Sequence, residues 1–350
     1  MSATDERSAP PVRPAKEVLS AARQMIDPAL RAAVDTLPTS MRRIAGYHFG
    51  WWDEREQPVS VDPGKALRPA LSLLAAEVVG GTQEVAVPVA VATELVHNFS
   101  LLHDDVMDGD VTRRHRATAW TVFGRGAAIL AGDSLLTLAF DVVGATGHPA
   151  ANEVMRAIGG AVQDLVHGQS CDLDFQARTD VGLTECLKMA AGKTGALLGA
   201  SCAIGGLFGG GGSDQVLHLR EFGERIGIAF QLTDDLLGIW GDPEVTGKPV
   251  HSDLANRKKS LPVVAALGAA SPAAQRLAEV YLRDEPLRAE ELAEVAQLIE
   301  EAGGRAWAQR HATELLETAL GHLHAAAATV DSRAVAELRV LADLASRRAY

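Results

Sequence analysis

Apolar residues recur at intervals of three and four along most of this chain, with Ala, Leu, Glu and Arg abundant, so each of a series of segments carries one apolar stripe as an α-helix. No stretch alternates apolar and polar residues for long enough to read as a strand. The periodicity predicts helices over about residues 19–37, 67–79, 85–106, 127–144, 151–175, 181–203 and 213–239. Shorter helices follow at about 262–267, 273–282 and 289–302, and a last pair covers 306–328 and 332–348. Residues 19–350 are therefore expected to form an all-α, single-domain helical bundle. Residues 1–18, with Ala9-Pro10-Pro11 and Arg13-Pro14, are polar and proline-rich and read as a disordered tail. Gly241-Asp242-Pro243 ends one long helix, and the segment from there to Ser260 reads as a polar loop.

Composition narrows the class. The chain has 350 residues, 47% of them hydrophobic, enough to bury a large core, and no low-complexity linker divides it. An uncharged stretch from Gly195 to Gly212 raises the question of a membrane span, but its glycines favour a buried helix ended by the Gly209 to Gly212 run. No basic segment leads into an apolar run near the N-terminus, so no signal peptide is indicated. Cys171, Cys186 and Cys202 make neither a Cys-x-x-Cys pair nor an even framework, which fits packed thiols in a reducing cytoplasm.

Against this apolar background two acidic pairs stand out. In Leu101-Leu102-His103-Asp104-Asp105-Val106-Met107-Asp108, the i,i+4 spacing puts Asp104 and Asp108 on one helical face, flanked by Asp105. Asp234 and Asp235 form the second pair. Carboxylates so clustered repel one another unless a cation gathers them, and hard oxygens with room for water suit Mg²⁺. Basic residues fall in short groups near these acids: Lys65 and Arg68, Arg113 and Arg114, Lys193, Lys248, and Lys258 within Arg257-Lys258-Lys259. His97 lies two turns before Asp104 on the same face. Cations beside bound Mg²⁺ make a polyphosphate site. The net charge of −12 makes these groups local exceptions and excludes the broad basic surface that nucleic acid requires. Gly192-Lys193-Thr194 looks like the tail of a nucleotide-binding P-loop, but Leu187 stands where its first glycine is needed. His103 and the Tyr47 to Trp52 cluster read as packing.

These motifs, in this order, resemble the trans-isoprenyl diphosphate synthases, or polyprenyl synthetases, over residues 19–350. Asp104, Asp105 and Asp108 followed by Arg113-Arg114 are similar to that family's first aspartate-rich motif. Gly64-Lys65, Arg68-Pro69 and His97 are similar to its isopentenyl diphosphate site. Gly132-Asp133-Ser134-Leu135, Gly168-Gln169-Ser170-Cys171-Asp172, Lys193-Thr194 and Phe230-Gln231 also match. The resemblance implies a fold of the isoprenoid synthase type around a central apolar cavity. It also implies about three Mg²⁺ ions held by Asp104, Asp105, Asp108, Asp234 and Asp235 on an allylic diphosphate, with Arg113, Lys193, Lys248 and Lys258 adding charge. Lys65, Arg68, His97 and Arg114 would hold isopentenyl diphosphate, and Thr194 and Gln231 would face the allylic cation. Phe99 and Ser100, just before Asp104, would set product length in the pattern of geranylgeranyl diphosphate synthases, with farnesyl diphosphate the alternative product. A class I terpene cyclase and a non-catalytic subunit of a heteromeric synthase are the other readings. A homodimer is implied, and the Trp51-Trp52 region resembles a bacterial branch associated with encapsulin shells through the N-terminal tail. Three positions depart from the family: Gly238 replaces the third aspartate of the second motif, leaving its role to Asp242 or water, Ala66 follows Lys65, and His115-Arg116-Ala117-Thr118 follows the arginine pair.

Overall fold

The computed structural model describes residues 12–59, 61, 64–243, 250–283, 285–329 and 332–346. Among them sixteen α-helices and one two-stranded hairpin form two compact units. The first unit comprises residues 1–159, 201–217 and 326–338, and the second residues 160–200, 218–325 and 339–350.

In the first unit, α1 (Ala15–Asp35) buries Val18, Ala22, Ile26, Leu30 and Val34, a run at intervals of four that makes one apolar stripe. The helix starts inside the stretch read as tail. Pro14, in extended backbone, stands just before it, and the Arg13 guanidinium grips the fully buried carboxylate of Glu337 through two contacts of 2.7 Å. Next come α2 (Thr39–His48) and α3 (Leu67–Val78). Helix α4 (Val87–Asp108) is buried on nearly every side, packs most extensively on α6 (Arg125–Gly144), and ends at Gly109 in the left-handed region. Between them lie the short helix α5 (Ala119–Phe123) and an antiparallel hairpin, β1 (Thr112–Arg113) with β2 (Arg116–Ala117). Arg114 and His115 form its turn, both with positive φ. That conformation normally selects Asn or Gly, so no local signal announced the hairpin. Arg116 anchors it on α2 and the segment that follows by donating to the carbonyls of Tyr47 and Trp52.

The long helices α7 (Ala151–Ala177) and α10 (Ser213–Trp240) supply most of the second unit's frame. Between them, the single helix expected over 181–203 is instead α8 (Leu183–Ala190), a π-helical turn (Ala191–Gly195), and α9 (Ala196–Phe208). The remaining helices are α11 (Ser252–Ala255), α12 (Leu261–Leu267), α13 (Pro272–Tyr281), α14 (Leu292–Glu301), α15 (Gly304–Ala326) and α16 (Arg333–Ser346). One apolar cluster joins Phe175, Cys186, Met189, Leu232, Leu236, Leu261 and Val264; a second joins Ile239, Leu254, Val263, Leu277, Tyr281, Val295 and Leu298. Both Cys186 and Cys202 are buried, which pushes their thiol pKa values up and leaves them inert.

Candidate active site

On the last turns of α4 the first acidic motif divides its labour. Asp104 is partly exposed and Asp108 exposed, whereas Asp105 is 1% exposed. Arg113 reaches back from the hairpin and donates its Nε–H to Asp105 Oδ1 at 2.7 Å. Burial raises the Asp105 pKa and Arg113 opposes that rise. The other oxygen, Oδ2, is buried with no hydrogen-bond partner in the protein. Asp105 also borders a cavity of about 30 Å³, room for one water, shared with His48, Arg113, Arg114 and Thr118. An orphaned carboxylate oxygen beside a water-sized space suits a hydrated cation, and the all-carboxylate donor set suits Mg²⁺.

Around that motif the cations converge. Burial, then Arg68, Arg114, Arg113 and His48, hold His97 neutral with its pKa well below the usual histidine value. Burial with Arg113 and Arg114 likewise pushes His48 down to about 3. Burial pushes Arg68 down to about 10, against the pull of Glu94, and its Nε–H has no protein partner. The turn at Gly64 lies so near Arg114 that a Cβ there would stand 2.4 Å from the guanidinium, while Lys65 next to it is exposed. Three arginines around two neutral histidines make a strongly anion-selective patch. On the inner side of α4, Phe99 and Ser100 are buried; Ser100 Oγ donates to the His97 carbonyl, and the Phe99 ring meets His103 edge to face at 4.8 Å. His103 approaches the Ile129 carbonyl at 2.9 Å, a packing role as expected.

The second motif repeats the division. Asp234 is partly exposed, and Asp235, 2% exposed, is engaged on both oxygens: Oδ1 accepts from Gln231 Nε2 (2.9 Å) and Lys258 Nζ (3.0 Å), and Oδ2 accepts from the Leu261 N–H (3.0 Å). Gln231 Oε1 in turn accepts from the Thr194 hydroxyl at 2.9 Å. Burial alone would discharge the Lys258 ammonium, yet Asp235, Asp253 and Asp172 together hold its pKa above the usual lysine value. Lys193, on the π-helical turn, pairs with Asp172 of α7. A Cβ at Gly168 would stand 2.3 Å from the Lys193 backbone nitrogen, so only glycine lets α7 approach this turn so closely.

The structure thus gathers Arg68, His97, Asp105, Arg113 and Arg114 in one unit, and Lys193, Thr194, Gln231, Asp235 and Lys258 in the other. Lys248 lies outside the described residues. Of the basic run, Arg257 instead donates to the Tyr281 carbonyl, and Lys259 is buried. Sequence reasoning read His48 as packing and assigned no role to Asp172 and Asp253, all three of which belong with these groups, nor to Gln169. Gln169 is 5% exposed, and neither its Nε2 nor its Oε1 has a hydrogen-bond partner. Only Asp172 and Gln169 had a signal, inside the Gly168 to Asp172 motif; His48 and Asp253 had none. Among the described residues no three acidic, histidine or cysteine side chains already form a metal cage. Mg²⁺ takes one or two carboxylates and completes its shell with phosphate oxygens and water.

Comparison with known proteins agrees with this chemistry. The polyprenyl synthetase family model matches residues 56–301. A (2E,6E)-farnesyl diphosphate synthase of Mycobacterium tuberculosis is 48% identical over 330 residues, covering 90% of this chain and 92% of that protein. A geranylgeranyl diphosphate synthase of the same organism is 43% identical over 324 residues, covering 92% and 93%. The crystal structure of a polyprenyl synthetase from Streptomyces coelicolor superposes with a TM-score of 0.88 at 46% identity, covering 94% of this chain and 98% of that one. With the helical fold, both aspartate pairs and their attendant cations in place, the chain belongs to the polyprenyl synthetase family and is a prenyltransferase of isoprenoid biosynthesis.

Proposed function

We propose that this enzyme condenses isopentenyl diphosphate with an allylic diphosphate (dimethylallyl, geranyl or farnesyl) to make geranylgeranyl diphosphate. One observation carries the assignment of roles: in each acidic pair the second aspartate is buried and tied to a cation, Arg113 or Lys258, while the first is partly exposed. Asp104, Asp108 and Asp234 would present oxygens to a metal, Asp105 would add its unpartnered Oδ2, and Asp235, engaged on both oxygens, would steady the second pair. Bound Mg²⁺, about three ions, would neutralise the allylic diphosphate as its carbon–oxygen bond breaks. Arg113, Lys193 and Lys258 add fixed positive charge where the departing diphosphate gathers negative charge, and Lys248 is expected to join them. Lys65, Arg68, His97 and Arg114 hold isopentenyl diphosphate, whose double bond attacks the allylic cation. Loss of a proton to the released diphosphate completes the turnover. Thr194 and Gln231, linked to each other, turn oxygen dipoles toward the cation.

Product length rests on Phe99 beside the small Ser100, both buried one turn or so before Asp104. A small residue next to one aromatic leaves room for a twenty-carbon chain. The 48% identical relative named as a farnesyl diphosphate synthase favours the fifteen-carbon product as the second reading. Incubation of the purified enzyme with Mg²⁺, isopentenyl diphosphate and each primer, followed by chromatography, decides between them. Phe99→Ala should lengthen the products, and an unchanged distribution would remove Phe99 from the role.

A homodimer belongs to the same proposal. The most apolar stretch of α6 is only 39% buried, and Ile129 and Leu130 are 40% and 57% exposed. Beside α6 opens a cleft of about 650 Å³ bordered by Leu37, Pro38, Met41, Leu130 and Leu138. Residues 1–11 lie outside the described residues. The proposed docking of the tail, residues 1–18, on an encapsulin shell predicts that removing those residues abolishes co-purification with a co-expressed shell, and unchanged association would refute it.

A further inference from the structure

Two glutamines of the second unit differ in how their amides are met. Gln231 is partnered at both ends: Oε1 accepts from the Thr194 hydroxyl at 2.9 Å, and Nε2 donates to Asp235 Oδ1 at 2.9 Å. Gln169 is more deeply buried, at 5% exposure, yet among the described residues neither its Nε2 nor its Oε1 has a hydrogen-bond partner. A buried amide satisfied at neither end destabilises the fold, because both ends of its dipole have lost water and gained nothing. A folded protein retains such a group where a ligand meets it.

The backbone fixes where that amide lies. On α7, Asp164, Gly168 and Asp172 recur every four residues and make the stripe that follows the π-helical turn. A Cβ at Gly192 would stand 2.6 Å from the Asp164 carbonyl oxygen, one at Gly168 would meet the Lys193 backbone nitrogen, and Asp172 pairs with Lys193. Gln169 follows Gly168 directly, one turn after the buried Leu165 and three residues before Asp172, and so lies beside this stripe. It is thereby carried to the edge of the turn that supplies the Lys193 charge and the Thr194 hydroxyl.

We infer that Gln169 is a further catalytic residue, whose amide faces an ionising allylic diphosphate at both of its ends. An amide has one donor end and one acceptor end, and a ligand that satisfies the two together has a negative oxygen beside an electron-poor carbon. An allylic diphosphate becomes such a ligand as it reacts. When its carbon–oxygen bond breaks, the electron pair stays on the diphosphate oxygen and the allylic carbons are left positive. The Nε2–H group faces the departing oxygen and Oε1 faces the carbons, while no bond to Gln169 forms or breaks. Because Gln169 makes no bond within the protein, its dipole is free for this use, whereas that of Gln231 is shared with Thr194 and Asp235. The inference rests on the condensation proposed above.

The test sets rate against stability in the full-length enzyme. Gln169→Met keeps the length and helix propensity of the side chain and removes both dipoles. Consumption of geranyl diphosphate in a single turnover with isopentenyl diphosphate and Mg²⁺ should slow by at least about 10-fold, toward the roughly 100- to 1,000-fold cost of losing one preorganised dipole. The KM for isopentenyl diphosphate should stay within about twofold, because the lost contact is made as the cation forms. The melting temperature should hold or rise by up to about 4 °C, since an unsatisfied buried amide has been removed. A glutamine satisfied by an ordered water or by the protein cannot give that pair of results, and its replacement would melt lower. Gln169→Leu, of a different shape, should repeat the pattern. A smaller loss of rate in either variant, or a lower melting temperature in both, would overturn the inference. A wild-type enzyme that consumes none of the three allylic primers would instead sink the functional proposal.

Discussion

Two histidines kept neutral among arginines make the first unit sensitive to acid. His48 is held down to about 3 and His97 well below its usual value, in both cases chiefly by burial, then by Arg68, Arg113 or Arg114. In the unfolded chain both titrate near pH 6.5, so below that pH the unfolded state binds protons that the native state refuses. Stability is therefore full above about pH 6.5 and falls as the pH drops toward the folded values, by at most about 1.4 kcal/mol per pH unit for each histidine. Denaturant titrations at pH 7.5, 6.5 and 5.5 should show this decline, and His48→Gln should reduce its slope by one proton. An identical slope in the variant would mean that His48 is solvated and titrates normally. Neither histidine advertised its state: His97 could be placed by its two-turn spacing from Asp104, but the neighbours that silence it come from other parts of the chain.

At the scale of elements, the π-helical turn at Ala191–Gly195 has the largest effect on the site. It lifts Lys193 and Thr194 out of α-helical register, aiming one at Asp172 and the other at Gln231. Its hold on α7 depends on Gly168. Gly168→Ala would drive a methyl group into the Lys193 backbone and should cost about 1–3 kcal/mol, with activity falling as Lys193 shifts. Gly160→Ala on the same helix meets nothing within 4 Å and should be neutral or raise stability by up to about 1 kcal/mol. Thermal unfolding of the two variants checks the contrast; equal effects would show that the turn yields easily. The hairpin has a comparable role, because its strained Arg114-His115 turn returns Arg113 to Asp105.

For the whole molecule, the proposed homodimer would cover the exposed Ile129 and Leu130 of α6. Contiguous apolar exposure of this kind marks an association surface, and a second copy of the chain is the partner proposed. Sedimentation of the wild-type enzyme should give twice the chain mass, and Leu130→Glu, which puts a charge on a residue already 57% exposed, should shift the population toward monomer. A monomeric wild type would refute the dimer, and a variant that stays dimeric would move the interface away from Leu130.

The helices, the spacing of Asp104 and Asp108 and the grouping of cations near each acidic pair were all present in the linear chain, because each depends on neighbours within one or two helical turns. The first turn of α1, helix α2, the hairpin and the π-helical turn were not, since contacts outside those local windows stabilise them. Which carboxylate of each pair is buried against a cation was decided by folding: Arg113 reaches Asp105 across a turn of unfavourable backbone, and Lys258 reaches Asp235 from 23 residues away. Gly238 shows the difference most plainly. In sequence it is a missing aspartate; in three dimensions the Asp253 carboxylate lies beside it, with Oδ2 2.3 Å from where a Cβ at 238 would stand, because a helix face meets whatever side chain packs on it, from any distance along the chain.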